Sequence, residues 1–236
     1  MFEKYKNKYN GQRCFIIGSG PSLLQENLSL IKNEKIFVVN RSYKALEQGL
    51  PHYNFYVCVD KNVYEKNCNE IQKLSKFPRF YNHTFLDSES YWNGPRERFI
   101  PIFRHENKNS ILYKSLVFNI MPTHYYDGWG NTSTAVLDTA LIAFFLGFKE
   151  IYFLGVDMSY KTNTETHFYG KDYFSSNQPY DKIDRPVEFK SETLNVVVKN
   201  LNNFFYKNDV KMVNLSLGYT QDNLFFKSKL SEIFKQ

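Results

Sequence analysis

Cys14-Phe15-Ile16-Ile17-Gly18-Ser19-Gly20-Pro21-Ser22-Leu23 decides the fold class of this chain. A short apolar run ends at glycine, which reads as a buried strand turning sharply into a helix. Glycine lets the backbone turn tightly and lets another group approach it closely. Pro21 suits a first helical position, where its missing N–H costs nothing. The N–H groups behind it, with the helix dipole, then face an anion such as a phosphate. The turn lacks the third glycine of the dinucleotide fingerprint and the Gly-Lys-Ser/Thr of a Walker A loop. A plain strand–helix connection is the competing reading of the same residues.

Outward from this turn, strands and helices alternate. Ile36–Asn40 reads as a second strand, followed by a helical stretch Tyr43–Gln48 closed by Gly49. Phe55–Asp60 reads as a third, followed by a charged helix Val63–Lys76. Arg79–Phe85 and Phe99–Phe103 are strand-like, with a helix near Ile111–Phe118. Gly130-Asn131-Thr132-Ser133 then opens an apolar helix running to Gly147, with Thr132 or Ser133 as N-cap, and the strand Ile151–Gly155 follows, ending at Asp157. A helix Glu192–Tyr206 feeds a strand Lys211–Leu215, and Asn223–Lys235 reads as amphipathic. This alternation implies βαβ units with right-handed crossovers. The expected fold is α/β: a doubly wound, mostly parallel Rossmann-like sheet in a single domain over residues 1–236. The polar, aromatic-rich stretch 159–190 is read as an embedded lid, because so long a loop in a compact domain is usually functional.

Composition narrows the function classes. The 236 residues carry a net charge of +6, with 18 Tyr and 22 Phe. Most of those rings are expected to pack, but tyrosine can fill a core and still offer a hydroxyl. No run of Lys or Arg marks a nucleic-acid face, so no nucleic-acid partner is expected. A modest positive balance also suits anionic nucleotide substrates or an acidic membrane surface. Three cysteines, Cys14, Cys58 and Cys68, form no C-x-x-C pair, which points to a reducing compartment. The Lys-rich start has no apolar signal segment, and the most apolar stretch, 134–148, is too short to cross a bilayer. The expectation is a cytoplasmic protein, or one on the inner face of the membrane. Residues 223–235 either lie on that membrane or dock on their own domain, and a homo-oligomer is compatible with the sequence.

Open α/β sheets bind ligands outside the carboxyl ends of their strands, at a topological switch point. Four expected strands end in polar residues there: Ser19, Asn40, Asp60 and Asp157. Asn40 can read a base or ribose, since its amide both donates and accepts. Each residue alone is also an ordinary turn former. Together they mark a cleft.

These residues carry a family resemblance. Gly18-Ser19-Gly20-Pro21-Ser22-Leu23, Val39-Asn40, Thr132-Ser133, and Leu146-Gly147-Phe148-Lys149-Glu150-Ile151-Tyr152 through Gly155-Val156-Asp157 resemble the bacterial family-42 sialyltransferases. They are similar as well to the group typified by archaeal 6-hydroxymethylpterin diphosphokinase and by motility-associated and polysaccharide-cluster proteins. The resemblance implies that Gly18, Ser19, Gly20, Ser22, Asn40, Thr132 and Ser133 hold a CMP-sugar; Pro21, Asp60, Asn131 and Asp157 complete the expected nucleotide site. The sialyltransferases carry an arginine before the Thr-Ser pair, where this chain has Gly130-Asn131. They also place a histidine late in the lid, where this chain has Arg185–Lys190 and no histidine.

His167, in Thr166-His167-Phe168-Tyr169-Gly170, is therefore the candidate base. Histidine titrates near working pH, and sugar transfer needs an acceptor hydroxyl deprotonated late in the reaction. Tyr160, Tyr169 and Tyr173 are candidate donors to the leaving phosphate. An idle surface-loop histidine is the competing reading. The other histidines, His52, His83, His105 and His124, form no metal-ligand pattern. No Asp-x-Asp occurs, so neither a metal nor another cofactor is expected beyond the CMP-sugar donor itself. The expected activity is a metal-independent glycosyltransferase of sialyltransferase type, moving a sialic-acid-like sugar to a surface-glycan acceptor, lipid-linked or free. The rivals are a Mg²⁺-dependent pyrophosphokinase, for which Asp60 and Asp157 would supply carboxylates, and a non-catalytic nucleotide-binding protein of a polysaccharide cluster.

Overall fold

The computed structural model describes residues 5–59, 61–74, 79–82, 99–102, 134–158, 167–170, 187–218 and 225–235. Among them eight strands form one sheet: β1 (Arg13–Ile17), β2 (Lys35–Val39), β3 (Phe55–Cys58), β4 (Arg79–Asn82), β5 (Phe99–Ile102), β6 (Glu150–Leu154), β7 (Lys211–Asn214) and β8 (Phe226–Lys227). Their order is β5-β4-β3-β2-β1-β6-β7-β8. Every neighbouring pair is parallel, which sharpens the mostly parallel expectation. The helices are α1 (Lys61–Lys73), α2 (Ala135–Phe145), α3 (Val187–Lys207) and the single turn α4 (Leu230–Ile233). 3-10 segments follow β1 and β2, at Pro21–Gln25 and Ser42–Gln48.

Parallel strands are covered on both faces and therefore read as unbroken apolar runs. β1 shows why. Cys14 and Ile16 point into a core shared with α2 and α3, through residues such as Leu137, Ala140, Val197 and Leu201. Phe15 and Ile17 point the other way, into a core shared with Val63, Tyr64 and Ile71 of α1. Successive side chains alternate faces, so the sheet is wrapped twice, as expected. The abundant rings mostly serve these cores: Phe37 stacks on Phe55 at 4.3 Å between centroids, and Tyr9 on Phe148 at 5.0 Å.

Two expectations change. The helix after residue 133 is capped by Thr134, not by Thr132 or Ser133. Thr134 has extended backbone, and its hydroxyl accepts from the Leu137 N–H at 3.3 Å. Gly147 does close that helix, with φ of +97°. The stretch 223–235 is no amphipathic helix in its described part. Phe225 is buried and Phe226 is exposed, a period of two, and Val213 pairs with Phe226 in the sheet. The rest docks on its own domain through buried Leu230 and through Phe234, which stacks on Phe15 at 6.2 Å. The helix expected near 111–118 and most of the lid stretch 159–190 lie outside the described residues. Among the described residues no helix is long and apolar enough to cross a membrane.

Candidate functional site

The strand order reverses at β1, which has β2 on one side and β6 on the other. Ile17 pairs with both Val38 and Leu154. The register therefore delivers Gly18, Asn40 and Gly155 to the same carboxyl edge, the place where such sheets bind ligands.

The glycine turn lies directly on the end of β6. Gly18 N–H donates to the Leu154 carbonyl at 2.8 Å, and Gly20 N–H to the Gly155 carbonyl at 2.7 Å. A Cβ on Gly18 would run into that Gly155 carbonyl, and one on Gly20 would sit 2.6 Å from the Asp157 carboxylate. Gly155 turns with φ of +63°. Ser22 N–H donates to Asp157 Oδ2 at 3.0 Å and its hydroxyl donates to Oδ1. Both side chains are buried. Leu23 N–H returns to the Gly20 carbonyl.

This revises the expected anion cradle. The segment behind Pro21 is one 3-10 turn, and the negative group at its start is the protein's own Asp157. Among the described residues, the turn keeps only the Ser19 N–H for another partner. The glycines are required for close packing between two strand ends.

Asn40 follows β2 with φ of +53°, and its N–H donates to the Val57 carbonyl at 2.8 Å. Asparagine tolerates this left-handed conformation better than most residues. Its side-chain Oδ1 is sealed from solvent and has no hydrogen-bond partner among the described residues. Such an orphaned acceptor costs about 1–3 kcal/mol unless a ligand or water supplies a donor. Ser42 locks the surrounding backbone: its hydroxyl accepts from Val39 N–H and donates to the Ile17 carbonyl, both at 2.6 Å. On the other side, Ser216 and Asn214 hold Val156 through its N–H and its carbonyl.

Residues 167–170 close over this edge. Phe168 N–H donates to the Ser19 carbonyl at 2.8 Å, and its ring enters the core on the α1 side. His167 and Tyr169 face each other at 5.1 Å between ring centroids. The guanidinium of Arg41 lies 4.8 Å over the Tyr169 ring. Burial, followed by the Arg41 charge, pushes the His167 pKa down from 6.5 to about 4. The imidazole is thus neutral at pH 7. Nearby, burial and then the Asp157 charge raise the Glu26 pKa, with a Leu217 backbone N–H opposing them.

The structure therefore gathers Gly18, Ser19, Gly20, Pro21, Ser22, Asn40, Asp157, His167 and Tyr169 on one edge of the sheet. Tyr160, Tyr173, Asp60, Asn131, Thr132 and Ser133 lie outside the described residues. Sequence reading missed Arg41 and Ser42, although they stand beside Asn40. It also missed Asn214 and Ser216, whose roles depend on a strand pairing that sequence order conceals. Among the described residues no three His, Cys, Asp or Glu side chains converge as a metal site.

The family model described as 6-hydroxymethylpterin diphosphokinase MptE-like matches residues 1–163. The chain belongs to this MptE-like family. Its fold is also that of known glycosyltransferases. The Maf glycosyltransferase of Magnetospirillum magneticum matches with a TM-score of 0.55 and 15% identity over 100% of this chain. This chain spans only 38% of that protein's length. The Campylobacter jejuni sialyltransferase CstII, in complex with the substrate analogue cytidine-5'-monophosphate, matches with a TM-score of 0.57 and 14% identity. That match covers 92% of this chain and 85% of CstII. A variant of CstII, described as an alpha-2,3/8-sialyltransferase, gives 0.52 and 16% over 92% and 86% of the two chains. At such identities the likeness establishes a shared fold. No curated protein sequence gives a significant match.

Proposed function

We propose that this MptE-like protein is a glycosyltransferase that moves a sialic-acid-like sugar from a CMP-sugar to a surface-glycan acceptor without a metal. The observation that carries the reading is Asn40: a buried amide oxygen with no partner among the described residues, at the switch point of a sheet shared with a CMP-binding sialyltransferase. A cytosine amino group or a ribose hydroxyl would supply the missing donor. The lack of an Asp-x-Asp sequence supports a donor whose single phosphate needs no metal clamp.

In this reading the acceptor hydroxyl approaches His167, whose neutral ring takes its proton as the glycosidic bond forms. The bond between the sugar and the CMP phosphate breaks, and CMP leaves as an anion. Tyr169, with Tyr160 and Tyr173, donates hydrogen bonds to that phosphate, stabilising charge where it develops. Residues 159–190 serve as a lid over a single nucleotide-binding unit, 1–236. The acceptor, lipid-linked or free, is met at the inner face of the membrane.

A second reading has the family description behind it: pyrophosphoryl transfer from ATP, with Asp60 and Asp157 as carboxylates for Mg²⁺. Thermal-shift screening of CMP, UDP, GDP and ATP, with and without Mg²⁺, separates the two. Stabilisation by CMP independent of Mg²⁺ supports the transferase. Stabilisation by ATP only with Mg²⁺ supports the kinase. CMP binding with no turnover or hydrolysis of a CMP-sugar leaves a nucleotide-binding protein.

A further inference from the structure

We propose that this protein carries a second binding site, for an acidic oligosaccharide, in a cleft at the amino end of the sheet. This site is independent of the nucleotide-site reading, which concerns the opposite end of β6.

A cleft of about 940 Å³ opens where the chain turns from α2 into β6. Ligand sites commonly enclose about 300–1,000 Å³, so its size suits an oligomer better than a single ion. Its walls are held in place by the fold. Asn7 N–H donates to the Phe145 carbonyl at 3.0 Å, Tyr9 N–H to the Leu146 carbonyl at 2.8 Å and Gly11 N–H to the Gly147 carbonyl at 3.1 Å. A Cβ on Gly147 would lie 2.9 Å from Asn7 Cα, so glycine is what lets these two segments meet. On the other wall, the Phe144 ring packs edge-on against Phe204 at 5.1 Å between centroids, which ties α2 to α3.

The lining combines three kinds of group that suit one ligand class. Lys6, Lys149 and Lys207 bring positive charge, and among the described residues no Asp or Glu lines the cleft. Charge of one sign gathered in a concave surface attracts the opposite sign. Lys149 also serves the fold, since its ammonium donates to the Asn208 carbonyl at 2.7 Å. Lys6 and Lys207 are exposed and come from different walls. Asn7 and Asn10 on one wall, with Asn200 and Asn203 on the other, add side-chain amides that both donate and accept. Asn200, Asn203 and Lys207 fall at i, i+3 and i+7, a single face of α3. Half-buried Phe144 and Phe204 add apolar ring surface. A carboxylated sugar chain offers a counterpart to each: carboxylates for the ammonium groups, hydroxyls for the amides and C–H faces for the rings. The lining holds no arginine, the residue that forked recognition of phosphates favours, so a nucleic acid fits it less well.

The test is isothermal titration of the full chain at low salt. The probes are a tetramer of N-acetylneuraminic acid, a tetramer of galacturonic acid, neutral maltotetraose and octathymidylate. At least one acidic tetramer should bind, at least about tenfold more tightly than maltotetraose. Lys6→Gln and Lys207→Gln combined in one variant should weaken that tetramer at least about tenfold, and Asn203→Ala about threefold. Asn203 is exposed, and its variant carries the test if the double variant fails to fold. Saturating CMP should leave tetramer binding unchanged. The proposal is overturned if neither acidic tetramer binds, if the folded variants keep the wild-type affinity, or if octathymidylate binds as tightly as the tetramer. Competition by CMP also overturns it, because the tetramer would then sit at the switch point. If CMP itself does not bind, the nucleotide reading falls, and the cleft stands or falls on the tetramers and the variants.

Discussion

His167 ties the chemistry of the site to a measurable pH dependence. Its ring has a folded-state pKa of about 4 against 6.5 for an unhindered histidine, because burial and then the Arg41 charge disfavour the imidazolium. Between those two values the unfolded chain binds a proton that the folded chain does not. Stability must therefore fall as the pH drops from about 6.5 toward 4, and level off below. At 1.36 kcal/mol per pKa unit the penalty approaches about 3 kcal/mol at the acid end. Carboxylates titrate in the same window, so the quantity to measure is a difference. Urea unfolding of wild type and His167→Gln at intervals from pH 7.5 to 4 isolates the histidine. The wild type should lose up to about 3 kcal/mol relative to the variant over that range, nearly all below pH 6.5. A constant difference across the range would show that burial does not hold the ring neutral. A wild type that gains relative to the variant on acidification would reverse the sign and point to a carboxylate partner.

Other substitutions probe the turn. Ser22→Ala removes the hydroxyl that donates to the buried Asp157 carboxylate, and should cost about 1–3 kcal/mol in denaturant unfolding. Gly18→Ala would drive a Cβ into the Gly155 carbonyl, a backbone atom that cannot step aside; it should be far more damaging than Gly49→Ala. At Gly49 nothing lies within 4 Å of the added carbon and only the positive φ is strained, for about 1 kcal/mol. Melting temperatures of the two alanine variants check the ranking, and an equal loss would contradict the close-packing role of Gly18.

The architecture was legible because its determinants are local. Apolar runs such as Phe15-Ile16-Ile17 and Tyr152-Phe153-Leu154, each ended by glycine, announce strands buried on both faces. Gly49 and Gly147 mark helix ends through the left-handed conformation that glycine favours. The site was legible only in part, because its bonds span long stretches of chain. Asp157 and Ser22 are 135 residues apart, and no local pattern reveals that the carboxylate accepts from the Ser22 N–H and hydroxyl. Phe225 and Phe226 read as one side of a helix until sheet pairing puts them on opposite faces. Arg41 reads as an ordinary turn residue until Tyr169 is folded against it.

The central claim is a nucleotide site at the switch point, with Asn40 supplying an acceptor to the ligand. Asn40→Gly tests it most directly, because glycine takes the same φ of +53° without strain while the amide disappears. Calorimetric titration with CMP should show binding to the wild type and at least about tenfold weaker binding to the variant, at an unchanged or slightly higher melting temperature. CMP binding of equal strength by both proteins, or by neither, would contradict the account.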